Sequence, residues 1–258
     1  MKVGVAGCGR MGRGMLRNLQ NAGFDARGFD IRAIPGVGQD VGAFADGLTV
    51  LISVVRDTDQ TDALLFDDQA MITRATGLTD LLICSTLSPK YIARRRDRIP
   101  DHINLIDAPM SGAQVKADAG TLTFMTGGNV DRVEPLLAAM GDAQHDMGAL
   151  GAGMTAKVLN NLLAASHTAM TRLVLDWADA QGMDERKLLD LIHTASGQNW
   201  LASGFDEIEF ARDGYDPDNS IGILEKDASA ALDLAPDEAI LPRAIRDAIR
   251  NLTPRRNV

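Results

Sequence analysis

Lys2-Val-Gly-Val-Ala-Gly7-Cys8-Gly9-Arg10-Met11-Gly12 decides the reading of the fold. Residues 2–6 are a short apolar run of buried-strand type, and Met11, Met15, Leu16 and Leu19 then recur at helical spacing until Gly23. A Gly-x-Gly-x-x-Gly spacing between a strand and a helix has a mechanical meaning. Gly7 permits the tight turn, Gly9 lets the backbone approach a phosphate, and Gly12 lets helix and strand pack closely. The helix start adds free N–H groups and partial positive charge. Residues 24–29 read as a second strand closed by Asp30, where a carboxylate accepts hydrogen bonds from the ribose hydroxyls of a dinucleotide. A cofactor site made by Gly7, Gly9, Arg10, Met11, Gly12 and Asp30 is therefore expected. Asp30 repels a 2′-phosphate whereas Arg32 attracts one, so NAD is favoured over NADP by a small margin.

Outward from this loop, residues 48–55, 81–84, 103–106 and 122–125 are further strand candidates separated by helical patterns. Strands alternating with helices up to about residue 148 predict βαβ units and a parallel sheet covered on both faces. Around Gly148-Ala-Leu-Gly-Ala-Gly153 the pattern changes. From Met154 to Gln181 the apolar residues Leu159, Leu162, Leu163, Met170, Leu173, Val174 and Trp177 recur at three and four residues, which predicts one long amphipathic helix. Segments 185–193, 205–212, 223–234 and 242–252 are also helical in pattern. The expected architecture is an α/β Rossmann domain with a doubly wound parallel sheet over residues 1–150 and an all-helical domain over 151–258.

Composition narrows the function. The chain has 258 residues, 45% of them hydrophobic and 24% charged, enough to bury a core without disulfide or metal staples. A net charge of −9 sets its field against nucleic acid and anionic lipid surfaces. No apolar run approaches the roughly 18 residues of a membrane span. Cys8 and Cys84 are too few for a disulfide framework, and no leader pattern precedes the first strand, so a reducing cytoplasm is the expected setting. The histidines His102, His145, His167 and His193 are scattered, and no metal site is expected. The cations are unevenly chosen: 20 are Arg and only 6 are Lys, so the positions given to Lys carry information.

Three further motifs lie beyond the glycine loop. Asp107-Ala-Pro-Met-Ser111-Gly112 follows a strand candidate, at the carboxyl edge where such sheets bind ligands, and a hydroxyl with exposed N–H groups suits a carboxylate. Gly151-x-Gly153-x-x-x-Lys157-x-x-Asn160-Asn161 opens the long helix, with Lys157 and Asn161 on one face. Leu224-Glu-Lys226-Asp227 sits in a later helix. In this order and spacing, together with Ser85-Thr86-Leu-Ser-Pro89 and Ser196-Gly-Gln-Asn-Trp200, the motifs resemble the β-hydroxyacid dehydrogenase family over nearly the whole chain.

That resemblance implies NAD(P)-dependent oxidation of a small anionic 3-hydroxy acid, and a helical domain that joins subunits into a homodimer or homotetramer. It matches Lys157 to the catalytic lysine, Ser111 and Gly112 to the carboxylate anchor, and Asn161 to a substrate-positioning residue. Thr86, Lys226 and the Val55–Arg56 loop fall near the nicotinamide half of the cofactor. Physical chemistry agrees with the lysine: hydride transfer from an alcohol needs a group that takes the hydroxyl proton, and a desolvated amine at a helix start loses its own more readily. The alternatives are an imine reductase of the same fold, which Lys157 opposes, and a catalytically silent dinucleotide-binding module, which Ser111, Lys157 and Asn161 together oppose. The chain departs from the family's Ser-Gly-Gly and Gly-Ala pattern at Ala113 and Lys116, and Lys116 raises the hypothesis of a second anionic group on the substrate.

Overall fold

The computed structural model describes residues 1–235 and 239–255. The chain divides into two compact units, Met1–Lys157 and Val158–Val258. In the first, β1 (Lys2–Ala6), α1 (Arg10–Asn21), β2 (Asp25–Phe29), α2 (Val41–Ala45), β3 (Val50–Ser53), α3 (Thr58–Leu65), α4 (Met71–Arg74), β4 (Asp80–Ile83), α5 (Pro89–Arg96) and β5 (Asn104–Asp107) alternate as the βαβ reading requires. They are followed by β6 (Met110–Ser111), α6 (Ala113–Ala119), β7 (Leu122–Gly127), α7 (Glu134–Met140), β8 (Gly141–Gly148) and the start of α8 (Ala152–Ala180). The sheet order is β2-β1-β3-β4-β5-β7-β6, with β8 also on β7. From β2 to β5 all pairs are parallel, and the chain reverses from β3–β4–β5 on one side of β1 to β2 on the other, the doubly wound topology expected.

Each sheet face carries its own apolar layer. One gathers Phe29, Phe44, Leu51, Leu81, Tyr91, Ile92 and Leu105, and the other Val5, Met15, Leu19, Ile52, Leu82, Ile106 and Phe124. Met15, Leu16 and Leu19 are the buried stripe of α1, which explains its helical spacing. Full burial of each such side chain stabilises the fold by about 1.5–3 kcal/mol.

Three features differ from the expectation. The sheet is mixed, because after β6 the chain returns through the short α6 and β7 runs antiparallel to both β5 and β6. A seven-residue helix turns the chain back without carrying it across the sheet, which a parallel βαβ connection requires. Strand β8 is absent from the sequence reading because Asp142, Gln144, His145 and Asp146 form a polar edge with no apolar alternation. Residues 205–212 are successive turns and not a helix. There Phe205 and Ala211 are buried, Ile208 N–H bonds Gly204 O at 2.9 Å, and Ala211 N–H bonds Ile208 O at 2.9 Å.

The second unit contains the rest of α8 and α9 (Glu185–Thr194), α10 (Trp200–Ser203), α11 (Ser220–Leu232) and α12 (Ile240–Arg250), with no strand among its described residues. Arg172 on α8, 2% exposed, donates to the carbonyls of Ala211 and Asp213 at 2.9 and 2.8 Å and to that of Thr253. Arg255 and Arg212 both bond the buried Glu185, at 2.6 and 2.7 Å. Burial alone pushes the Glu185 carboxyl up, but the two guanidinium groups outweigh it and hold the group below the ordinary glutamate value. The long helix expected from the apolar spacing is α8, and it leaves Leu159, Leu163, Met170, Leu173 and Trp177 exposed, at the three-, four- and seven-residue steps of a single helix face.

Candidate active site

The glycine loop takes the form its spacing requires. Gly7 has φ +90°, and a Cβ there would lie 2.7 Å from the backbone of Val54. A Cβ on Gly12 would lie 2.2 Å from Gly7 O, so the third glycine is a packing necessity. Gly7 N–H bonds Phe29 O at 2.9 Å, which joins the loop to the end of β2. No side chain caps α1 at Gly9, so Arg10, Met11 and Gly12 open a helix whose first N–H groups no side chain of its own claims. This cradle fits a dinucleotide pyrophosphate. Cys8, in the loop, is buried and its thiol is pushed up to about 11, chiefly by burial, which makes it packing and not a nucleophile.

Asp30 and Arg32 do not stand apart. Arg32 Nε and Nη2 fork onto the two carboxylate oxygens of Asp30 at 3.0 and 3.1 Å, and Arg32 N–H adds a third bond at 2.9 Å. Burial pushes the Asp30 carboxyl up, and the Arg32 bonds outweigh it, leaving the group below its ordinary value. A Cβ on Gly9 would sit 3.2 Å from Arg32 Nη2, so the guanidinium hangs beside the glycine loop. On the adjoining strand ends, Ser85 Oγ donates to Val55 O at 2.5 Å, joining the loop that holds Val55 to the half-buried Thr86.

The Ser111–Gly112 and Lys157 motifs, both in the first unit, are held together by a residue to which the sequence reading gave no role. Asp107 ends β5, is fully buried, and accepts from Gly151 N–H at 2.7 Å and Met154 N–H at 2.6 Å, the start of α8. Burial raises its carboxyl above the ordinary value, and these backbone bonds oppose the shift. Four residues after Asp107 comes Ser111, half-buried on β6, with Gly112 next. Three residues after Met154 comes Lys157, 6% exposed. One carboxylate thus sets the register between the strand feeding Ser111–Gly112 and the helix start bearing Lys157. No local spacing reveals this, because the bonded residues are 44 and 47 positions apart.

In the second unit Asn161 and Lys226 meet at the carboxylate of Asp227, the residue that follows Lys226 in its motif. Asn161 Nδ2 donates to Asp227 Oδ2 at 2.5 Å, and Lys226 Nζ lies 2.8 Å from Asp227 Oδ1. Asn161 and Asp227 are both buried, and Asp227 fixes which end of the Asn161 amide faces away from it. The Lys226–Asp227 pair thus has a buried carboxylate that also holds Asn161. Among the described residues no cluster of three His, Cys, Asp or Glu side chains is placed to hold a metal ion, and no helix is long and apolar enough to cross a membrane.

Comparison with known proteins agrees with this geometry. Residues 2–158 match the NAD binding domain of 6-phosphogluconate dehydrogenase, and residues 151–250 match the NAD-binding segment of NADP-dependent 3-hydroxyisobutyrate dehydrogenase. An NAD-dependent L-serine dehydrogenase of Pseudomonas aeruginosa is 34% identical over 216 residues, covering 77% of this chain and 71% of that one. A 3-hydroxyisobutyrate dehydrogenase of the same organism is 30% identical over 249 residues, covering 89% and 84%. The solved structure of Mycobacterium tuberculosis 3-hydroxyisobutyrate dehydrogenase with L-serine superposes with a TM-score of 0.79 at 25% identity, covering 98% and 96%. With a cofactor cradle of the right geometry and both halves matched in order, the chain belongs to the β-hydroxyacid dehydrogenase family of nicotinamide-dependent oxidoreductases.

Proposed function

We propose that the protein transfers a hydride between NAD(P) and a small 3-hydroxy acid, in either direction, with Lys157 as the general acid and base. The observation that carries this reading is a desolvated lysine at the start of α8, which Asp107 ties to the strand leading into Ser111–Gly112. In the oxidation Lys157 Nζ, as the neutral amine, takes the hydroxyl proton while the carbon–hydrogen bond gives its hydride to the nicotinamide; in the reduction it returns that proton to the carbonyl oxygen. The nicotinamide ring supplies the hydride acceptor or donor. Ser111 Oγ–H and the Gly112 N–H donate to the substrate carboxylate, and Asn161, oriented by Asp227, positions the substrate. Thr86, Val55 and Lys226 serve the nicotinamide half of the cofactor, and Gly7 to Gly12 the pyrophosphate.

Both NAD and NADP are expected to bind, with little between them. Arg32 already occupies the Asp30 oxygens that ribose hydroxyls would use, and the same guanidinium is available to a 2′-phosphate. The exposed apolar face of α8 supports a homo-oligomer, and the two buried free thiols suit a cytoplasmic setting. The test is a screen of small hydroxy acids with both cofactors, following reduced cofactor. Lys157→Ala is expected to abolish turnover while nucleotide affinity stays within about twofold; full activity in that variant refutes the lysine assignment.

A further inference from the structure

Lys116 lies in the substrate loop with its charge unanswered. It belongs to α6, which starts directly after Gly112, and its N–H bonds Gly112 O at 3.3 Å. Gly112 has φ +138°, and a Cβ there would sit 2.6, 3.0 and 2.7 Å from Cβ, Cγ and Cδ of Lys116. The methylene stem of Lys116 is therefore folded across Gly112, the residue beside Ser111. The next residue, Ala113, is held at φ +54°, a left-handed conformation that an alanine adopts at a cost of about 1–2 kcal/mol. The loop backbone is thus kept in a disfavoured form at the residue next to the one that the Lys116 stem crosses.

The neighbouring charges do not neutralise Lys116. Asp118, the nearest carboxylate in sequence, is bonded by Arg17 at 3.0 Å, and that Arg17 nitrogen also donates to the Asp118 carbonyl at 2.9 Å. Gln114 Nε2 approaches the other Asp118 oxygen at 3.4 Å. The Lys116 ammonium makes no hydrogen bond or ion pair among the described residues. In a chain of net charge −9 that writes Arg for 20 of its 26 cations, an unpaired lysine carried over Gly112 is an uncompensated positive charge beside the proposed carboxylate anchor.

We propose that Lys116 is a specificity-determining residue that favours 3-hydroxy acids bearing a second anionic group on the substituent at C2, and disfavours those bearing an ammonium there. This rests on the reading of Ser111–Gly112 as the carboxylate anchor. The first carboxylate is bound at Ser111 and Gly112, and the second anion meets the Lys116 ammonium. The same charge works against L-serine, whose C2 substituent is an ammonium.

The experiment compares four alcohols that share one hydroxymethyl-carboxylate frame: 3-hydroxyisobutyrate, L-serine, 2-(hydroxymethyl)succinate and 2-(hydroxymethyl)-3-phosphonopropanoate. The last two separate a carboxylate from a phosphonate as the second anion. Lys116→Met keeps the stem over Gly112 and removes the charge, and Lys116→Arg keeps the charge. In the wild type kcat/KM is expected to be higher for a dianionic substrate than for 3-hydroxyisobutyrate. In Lys116→Met that ratio falls by about fivefold, through KM and not kcat, and the ratio for L-serine over 3-hydroxyisobutyrate rises. Lys116→Arg restores the dianion ratio, and raising the salt concentration lowers it in the wild type but not in Lys116→Met. An unchanged ratio in Lys116→Met overturns the proposal. Wild-type protein that turns over none of the four with either cofactor refutes instead the hydroxy-acid reading on which it rests.

Discussion

Asp107 is the residue whose removal tests the site most directly. Its carboxylate is fully buried and accepts two backbone N–H bonds, at 2.7 Å from Gly151, just before α8, and at 2.6 Å from Met154 in its first turn. Hydrogen bonds to a charged group contribute about 1.5–3 kcal/mol each, so Asp107→Ala forfeits about 3–6 kcal/mol and strands one buried donor, Met154 N–H, and one half-buried donor, Gly151 N–H. Part of that loss is returned, because burying the carboxylate is itself costly, as its raised carboxyl shows. A net cost of about 3 kcal/mol leaves the chain folded and lowers Tm by roughly 6–12 °C. Asp107→Asn keeps the shape but turns an amide N–H₂ toward a donor, so it should fall between wild type and alanine. On the proposed roles the functional consequence is larger than the thermal one, because displacing the start of α8, with Lys157, by about 1 Å relative to Ser111–Gly112 costs about a hundredfold in turnover. The assay is calorimetry together with kcat, KM and cofactor Kd for each variant. A drop in kcat with cofactor affinity unchanged supports the register argument. A kcat near wild type in Asp107→Ala, or a parallel loss of kcat and cofactor binding, refutes it.

Further outcomes follow from the other carboxylates and the helix face. Arg32→Ala should weaken NADP binding at least tenfold and leave NAD binding equal or tighter, since it frees Asp30 for ribose hydroxyls; fluorescence titration with both nucleotides checks this. Glu185 is held below its ordinary value by Arg212 and Arg255, so its stabilisation is present above the ordinary glutamate value and is lost as pH falls through the lowered folded value. Glu185→Gln should therefore cost about 3–5 kcal/mol at neutral pH and flatten the acid limb of stability against pH, read by denaturant melts at a series of pH values. Asp227→Ala should raise KM more than it lowers Tm, because it frees the Asn161 amide to rotate, and Asp227→Asn should not rescue it. Trp177→Asp with Leu163→Asp should yield monomers by analytical ultracentrifugation; an unchanged oligomer would remove α8 as the interface.

The parts of the fold that were legible in the sequence are those written in local order. The βαβ alternation follows from apolar runs such as Val50–Ser53 and Asp80–Ile83, whose strands are buried along their length and need no partner to be recognised. Strand β8 fails the same test because its side chains are polar and largely exposed, and it exists through pairing with β7. Residues 205–212 show the opposite failure: an apolar spacing that suits a helix is satisfied there by turns that bury Phe205 and Ala211. At the candidate site the motifs name residue types, but the bonds between motifs span 44 to 66 positions and have no local signature.

Those long-range bonds change the physical argument for Lys157. The sequence reading relied on the positive end of a helix dipole to favour a neutral amine. The structure puts the Asp107 carboxylate on that same helix end, where it satisfies the first-turn N–H groups and sets a negative charge against their partial positive charge. The Asp107 charge therefore opposes the helix-end dipole on which part of the proposed role of Lys157 was argued, while the burial of Lys157, 6% exposed, is the other part. Asp107 then has two opposed effects on the same amine: it holds the helix in register and it lends negative charge. A variant that kept the register but removed the charge would separate them. Asp107→Asn comes closest, and if its kcat–pH profile moves to lower pH with a Tm loss well below that of Asp107→Ala, charge and not position is the larger part of what Asp107 contributes.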